Sequence, residues 1–247
     1  MKIAVVTPYY RETVEQLRRC HESVKNQTMP CTHYLVSDGN PMPEVDGWDC
    51  VHIKLPRMND YGDTPRLVGT GSAVTHGADA IALLDGDNWF DNDHIETLVR
   101  TLAADPAPIA TCSRKLIRPD GSFMANCIES DGTAFNDTNC ILVLKQAFPL
   151  FAAWGFKDPK LGIVGDRVFW ERVKASNLPR RHSPKPTVNY VTTFGFHYHL
   201  NKETPPPGAK DIIRLADGTF RMVTWEQALE LARLQKEARE KATPPTG

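Results

Sequence analysis

The sequence predicts an α/β protein: a doubly wound, mostly parallel central sheet with helices on both faces, then a small C-terminal hairpin-helix appendage. Three observations predict it. Apolar runs at residues 3–6, 34–36 and 80–84 suit buried strands and are too short for helices. Segments of helical periodicity alternate with them, the pattern of stacked β-α-β units. A Pro-Pro-Pro-Gly stretch at 205–208 is stiff and extended, and it sets off a last segment with its own turn and helix signals.

The elements follow in order. Residues 3–6 open the sheet. Thr13-x-x-Gln16 is a capping-box pattern, and Val14, Leu17 and Val24 give the following helix one apolar face. Pro30 closes that segment. Residues 34–36 form a second strand running into Ser37-Asp38-Gly39, and 51–53 a third, edge-like one. A helix over 64–78 is entered through Thr64-Pro65, with proline in the first turn. After the strand at 80–84, Asp93-x-x-Glu96 is expected to cap a helix that turns Ile95, Leu98, Val99 and Leu102 inward.

The second half changes character. Runs at 109–117 and 122–128 flank Pro119-Asp120-Gly121, a hairpin signal. Residues 140–144 are a strand, 164–175 a helix carrying Phe169 and Trp170, and 188–194 a β-rich run. Beyond the prolines, Asp217-Gly218 is read as a two-residue hairpin turn. Thr224-x-x-Gln227 caps a final helix with Trp225, Ala228, Leu229 and Ala232 on one face, and its charged tail is expected to fray.

Composition narrows the function. With 247 residues and 41% hydrophobic content the chain can bury a large core. Its formal charge of −1 implies no general attraction to nucleic acid or to a membrane surface. Six cysteines show neither CxxC nor zinc spacing and read as reduced thiols of a cytoplasmic protein. No apolar run reaches the roughly 18 residues of a membrane span. The first residues are too briefly apolar for a signal peptide and read as a strand.

Asp85-Gly86-Asp87 carries the most chemistry. It follows the apolar run 80–84, so its carboxylates stand at the carboxyl end of a central strand, where open α/β sheets bind ligands. Two acids one residue apart repel unless a cation relieves them. Mg²⁺ or Mn²⁺ takes such oxygens and completes its shell with substrate phosphates. An acidic turn before the next helix is the alternative, since Asp91 and Asp93 continue the acidic character. Gly69-Thr70-Gly71 follows no strand and is rejected as a dinucleotide fingerprint.

Several ordered pieces resemble the GT-A fold of nucleotide-sugar glycosyltransferases, of the inverting family 2 type, over roughly residues 1–200. They are Val5-Val6-Thr7-Pro8-Tyr9-Tyr10, Ser23-Val24-x-x-Gln27, Leu35-Val36-Ser37-Asp38-Gly39, Pro65-Arg66 with Ala73 and Gly77, Leu84-Asp85-Gly86-Asp87-Asn88, and Gly165-Asp166-x-x-x-Trp170-x-Arg172. Two departures stand out. Gly165 replaces the usual Glu before the base, and Ala73-Val74-Thr75-His76-Gly77 lacks the usual Arg-Asn.

The resemblance implies a domain over 1–204, with a nucleotide-binding half at 1–105 and an acceptor-binding half at 106–204, and a 205–247 appendage. It implies Thr7, Pro8, Tyr9, Asp38, Arg66 and Asp85 around the nucleotide, with Tyr9 or Tyr10 stacking on the base. Asp87 is the better direct metal ligand and Asp85 the better ribose or outer contact. Asp166 is the catalytic base, with Glu129, Asp131 and Asp158 as fallbacks. Tyr190, then His197-Tyr198-His199, lies where many such enzymes place a metal-binding His. On a strand-like run His197 and His199 share one face, and His197 is preferred for the metal. Trp154, Gly155 and His199 are candidates for the sugar or acceptor, although aromatic core is the cheaper reading of Trp154.

The expected reaction moves a sugar from a nucleotide-diphosphate sugar, UDP first, to a saccharide or other hydroxyl, with Mn²⁺ or Mg²⁺. A nucleotidyltransferase is the rival. It wants a glycine-rich basic loop after the first strand, where this chain has Thr7-Pro8-Tyr9-Tyr10-Arg11. A silent sugar-nucleotide-binding module is the other, opposed by the joint presence of Asp38, Asp85, Asp87 and Asp166. The appendage, too small to fold alone, is expected to cover the main domain or another copy of the chain.

Overall fold

The computed structural model describes residues 1–242. The frayed tail expected at 243–247 lies outside the described residues. The chain divides into two compact units, residues 1–191 and 192–247.

The first unit is an α/β sandwich around one mixed sheet. Its elements are β1 (Ile3–Tyr9), α1 (Val14–Lys25), β2 (Cys31–Asp38), β3 (Val51–Leu55), α2 (Asp63–Thr75), β4 (Ala80–Leu83), β5 (Trp89–Phe90), α3 (His94–Ala104), β6 (Ile109–Ile117), β7 (Phe123–Asn126), β8 (Ile141–Leu144), α4 (Gly165–Ala175) and β9 (Arg180–Val191). The sheet runs β3-β2-β1-β4-β8-β6-β9-β5, with β7 beside β6. The pairs β3/β2, β2/β1 and β1/β4 are parallel. Beyond β4 the sheet is mixed: β8 is antiparallel to β4 and β6, while β9 runs parallel to β6.

Alternation along the strands divides the core into two layers. Ala4, Val6, Ile81 and Leu83 face one side with Ala73 of α2 and Phe169, Trp170 and Val173 of α4. Ile3, Val5, Ala80, Ala82 and Leu84 face the other with Cys20 and Val24 of α1 and Ile95, Leu98 and Leu102 of α3. A strand buried on both faces must be apolar at every position, which is why β1 and β4 read as continuous runs. Helix α2 lies close on this sheet because residue 69 is glycine: a Cβ there would come within 2.5 Å of Val6 Cγ1. That close approach is the role of the rejected Gly69-Thr70-Gly71 stretch.

Local signals behave unevenly. The Thr13 capping box closes as expected, with Gln16 N–H donating to Thr13 Oγ1 at 3.2 Å and Thr13 N–H donating to Gln16 Oε1 at 2.8 Å. Asp93 makes no capping hydrogen bond at α3. Its carboxylate pairs instead with Lys185, and Glu96 is taken by Thr28 and Arg100. The expected cap is replaced by contacts across to other elements.

The second unit holds α5 (Gly195–Leu200), β10 (Lys210–Arg214), β11 (Phe220–Thr224) and α6 (Trp225–Ala242). Thr224 and Gln227 form the expected capping box of α6. The hairpin turn is one residue longer than expected. Leu215 N–H donates to Thr219 O at 2.8 Å and Gly218 N–H to Leu215 O at 3.0 Å, with Gly218 at φ +84. This is a three-residue loop closed by a left-handed glycine. Trp225 packs against Gly195 and, at 5.8 Å between ring centroids, against His199. Leu229 stands 48% exposed.

Candidate active site

The parallel strands β2, β1 and β4 end side by side, and their carboxyl ends carry Asp38, Thr7-Pro8-Tyr9 and Asp85. Asp38 is buried, its carboxylate accepting from Met58 N–H at 2.6 Å and from the Arg57 guanidinium. Arg57 lies 3.4 Å over the Tyr10 ring. Tyr10 is therefore the aromatic at this edge. Tyr9 is not: its ring is buried with Leu17, Leu35 and Val45, and its hydroxyl bonds His52 Nε2 at 2.6 Å. Strand alternation turns it inward. Thr7 likewise spends its hydroxyl on His33 Nε2 at 2.8 Å, beneath the sheet edge. Pro8 packs against the start of α2 at Gly62.

Arg66 on α2 forms an ion pair with Asp85 and lies 5.2 Å over the Trp154 ring. Burial works against the guanidinium's charge, but Asp85, with the charges of Asp63 and Asp166 adding to it, more than offsets this and the pKa is raised. Trp154 is buried and stacked on Phe169 at 4.8 Å between ring centroids. It is a core ring that supports Arg66, which corrects its candidacy as a sugar platform. Gly155 is exposed beside it. Asp87 is partly exposed two residues past Asp85, and its carbonyl accepts from Arg19 at 3.0 Å.

Asp166 sits in the first turn of α4, where the helix dipole favours an acid. Its carboxylate accepts from Arg167 N–H at 2.7 Å. Burial, with the charge of Asp137 adding to it, pushes its pKa up to about 6. A carboxylate so tuned suits a general base near neutral pH. Of the fallbacks, Asp131 caps the turn at Thr133 and Asp158 that at Lys160, while Glu129 lies 3.8 Å from Arg114.

Gly165 is explained by its neighbours. A Cβ there would come within 2.8 Å of both Asp63 Oδ1 and Lys157 Nζ, and these two form a buried ion pair.

A polar network behind the acids escaped sequence reasoning. Arg114 of β6 pairs with Asp137 and lies 4.1 Å over the Tyr190 ring. Asp137 accepts from Asn139 Nδ2 at 2.6 Å, and Asn139 also bonds Asp85. Asn136 to Asn139 are four consecutive polar residues, all buried. No motif or element is expected at 136–139, which precedes the strand at 140–144.

The histidines differ from expectation. His197 and His199 lie on helix α5, not a strand. At 100° per residue, positions two apart point to nearly opposite sides. His197 Nδ1 bonds Thr192 Oγ1 at 2.6 Å and His199 packs on Trp225. The shared face expected for them is not formed.

The family model for glycosyl transferase family 2 matches residues 4–175. No curated protein matches the chain in sequence. Among solved structures, S. aureus TarS 1-349 in complex with UDP is similar at a TM-score of 0.59 and 12% identity, over 81% of this chain and 63% of that one. S. aureus TarS gives 0.57 and 13%, over 81% and 38%. TarS 1-349 in complex with UDP-GlcNAc gives 0.57 and 12%, over 78% and 59%. The chain thus spans less than two thirds of the length of each. At such identities the likeness shows a shared fold, and the GT-A architecture accounts for the sheet edge described above. With the family match running from β1 through α4, the chain belongs to glycosyl transferase family 2.

Proposed function

We propose that the chain transfers a sugar from a nucleotide-diphosphate sugar to an acceptor hydroxyl with inversion, using Mn²⁺ or Mg²⁺ and acting in the cytoplasm. The observation that carries this reading is the grouping at one sheet edge of Asp85 and Asp87, with Arg66 held by Asp85. The donor set fits a hard divalent cation, being carboxylate oxygens only. Arg66 Nε is buried without a hydrogen-bond partner among the described residues, which suits a site that takes in further acceptor oxygens. A bound cation would offset the charge on the leaving nucleoside diphosphate.

The chain's own residues supply the rest. Arg66 presents a guanidinium to the diphosphate. Asp38, buried, holds the Arg57 guanidinium at this edge, where its N–H groups can donate to a base carbonyl such as those of uracil. UDP is therefore the first donor to try, and two of the TarS structures named above hold UDP and UDP-GlcNAc. Asp166 takes the proton of the acceptor hydroxyl as its oxygen attacks the anomeric carbon. One displacement, with the diphosphate leaving opposite, inverts that centre. The first-strand loop lacks the glycines that a nucleotidyltransferase would need.

The test is turnover of a panel of UDP-sugars with Mn²⁺, read as UDP release, beside Asp166→Asn. Release by the wild type and a loss of about 10²–10⁴-fold in the variant are expected. Equal turnover by Asp166→Asn would remove Asp166 from the chemistry.

A further inference from the structure

We infer that Asn139 is a positioning residue for the donor site: its side-chain amide locks the Asp85 carboxylate in the orientation that presents Arg66 to the diphosphate. The inference rests on the donor-site reading above.

The geometry is saturated. Asn139 is fully buried. Its Oδ1 accepts from Asp85 N–H at 2.5 Å, and its Nδ2 donates to Asp85 Oδ2 at 3.1 Å and to Asp137 Oδ1 at 2.6 Å. The amide thus makes one accepted and two donated bonds. Only this orientation satisfies all three partners, because the flipped amide would set its oxygen against two carboxylates. Asp85 is gripped from both sides, by Arg66 on Oδ1 and by Asn139 on Oδ2. Asp137 is gripped likewise, by Arg114 on Oδ2 and by Asn139 on Oδ1.

The result is an unbroken row, Arg66–Asp85–Asn139–Asp137–Arg114, with the neutral amide separating two acids that would otherwise repel. Such a network fixes rotamers because each broken bond leaves a buried polar group unpaired. Asp85 carries Arg66 on one oxygen and Asn139 on the other, and it serves the donor site by holding Arg66. No motif marks Asn139, which lies 54 residues from Asp85 in sequence.

Two variants test this. Asn139→Asp keeps the shape but points a carboxylate oxygen at two others. Asn139→Ala removes the grip without adding charge. Each is titrated calorimetrically with UDP in Mn²⁺ and again in EDTA, beside thermal unfolding. UDP affinity is expected to fall about tenfold or more in Asn139→Asp and by a smaller factor in Asn139→Ala, in Mn²⁺ and in EDTA alike, because Arg66 meets the diphosphate with or without the cation. In an Arg66→Ala background, where no guanidinium is left to position, Asn139→Asp should cost no further affinity. A folded Asn139→Asp that binds UDP like wild type overturns the inference. So does an equal loss in the Arg66→Ala background, which is what a merely structural residue would give. A wild-type chain with no Mn²⁺-dependent gain overturns the donor-site reading itself, and the inference with it.

Discussion

Asp166 and Gly165 show how neighbouring residues carry different kinds of constraint. An ordinary carboxyl titrates near pH 4, whereas Asp166 is raised to about 6 by burial and by Asp137. The folded state therefore binds this proton more tightly than the unfolded one. Stability from this group is present at low pH and falls as pH rises from about 4 through about 6. Activity should move the opposite way, because the base works only when ionised. A pH profile of kcat/KM is expected to show a rising limb with a midpoint near 6, and Asp166→Asn should abolish both trends. Gly165 answers to space. Gly165→Ala should destabilise by about 1–3 kcal/mol in urea unfolding, since its Cβ meets the buried Asp63–Lys157 pair. A variant as stable as wild type would show that the pair yields easily. Asp166 stands out in the sequence because its segment carries a recognisable pattern, and its role as base is part of the proposal above. Tyr9 and Thr7 were placed at the edge by the same kind of pattern, yet strand alternation and His33 and His52 hold them inside.

Elements were legible where the signal is local and lost where tertiary contacts compete. The Thr13 box closes within one turn, so Thr13→Ala should cost about 1 kcal/mol by chemical denaturation. Asp93 has the same sequence signature but spends its carboxylate on Lys185, an exposed pair of little value. Asp93→Ala should thus stay within about 0.5 kcal/mol of wild type. Equal costs for the two variants would contradict this contrast. Helix α5 was misread as strand because its residues, rich in rings and histidines, fit either period over so short a length. The buried polar run 136–139 was opaque for another reason. Its partners, Arg114 and Asp85, are supplied by β6 and the end of β4, and nothing local announces them.

At the scale of the molecule, the α/β class followed from strands apolar at every position alternating with amphipathic helices, and the two core layers on β1 and β4 are the reason. The Pro119-Asp120-Gly121 signal marked the antiparallel β6/β7 pair, whereas the antiparallel insertion of β8 between β4 and β6 was not legible, because pairing direction depends on where a strand inserts. The first unit, residues 1–191, has its own core. Expressed alone it is expected to unfold cooperatively and to bind nucleoside diphosphate. A folded 1–191 chain without binding would show that the first unit is insufficient. If the acids at the end of β4 hold a metal-bound nucleoside diphosphate, calorimetric titration of UDP in Mn²⁺ and in EDTA will register it. UDP should bind in Mn²⁺ and weaken about tenfold or more, at least about 1.4 kcal/mol, in EDTA and in Asp87→Ala. Equal affinity in Mn²⁺ and EDTA, or an Asp87→Ala chain that binds like wild type, would contradict it.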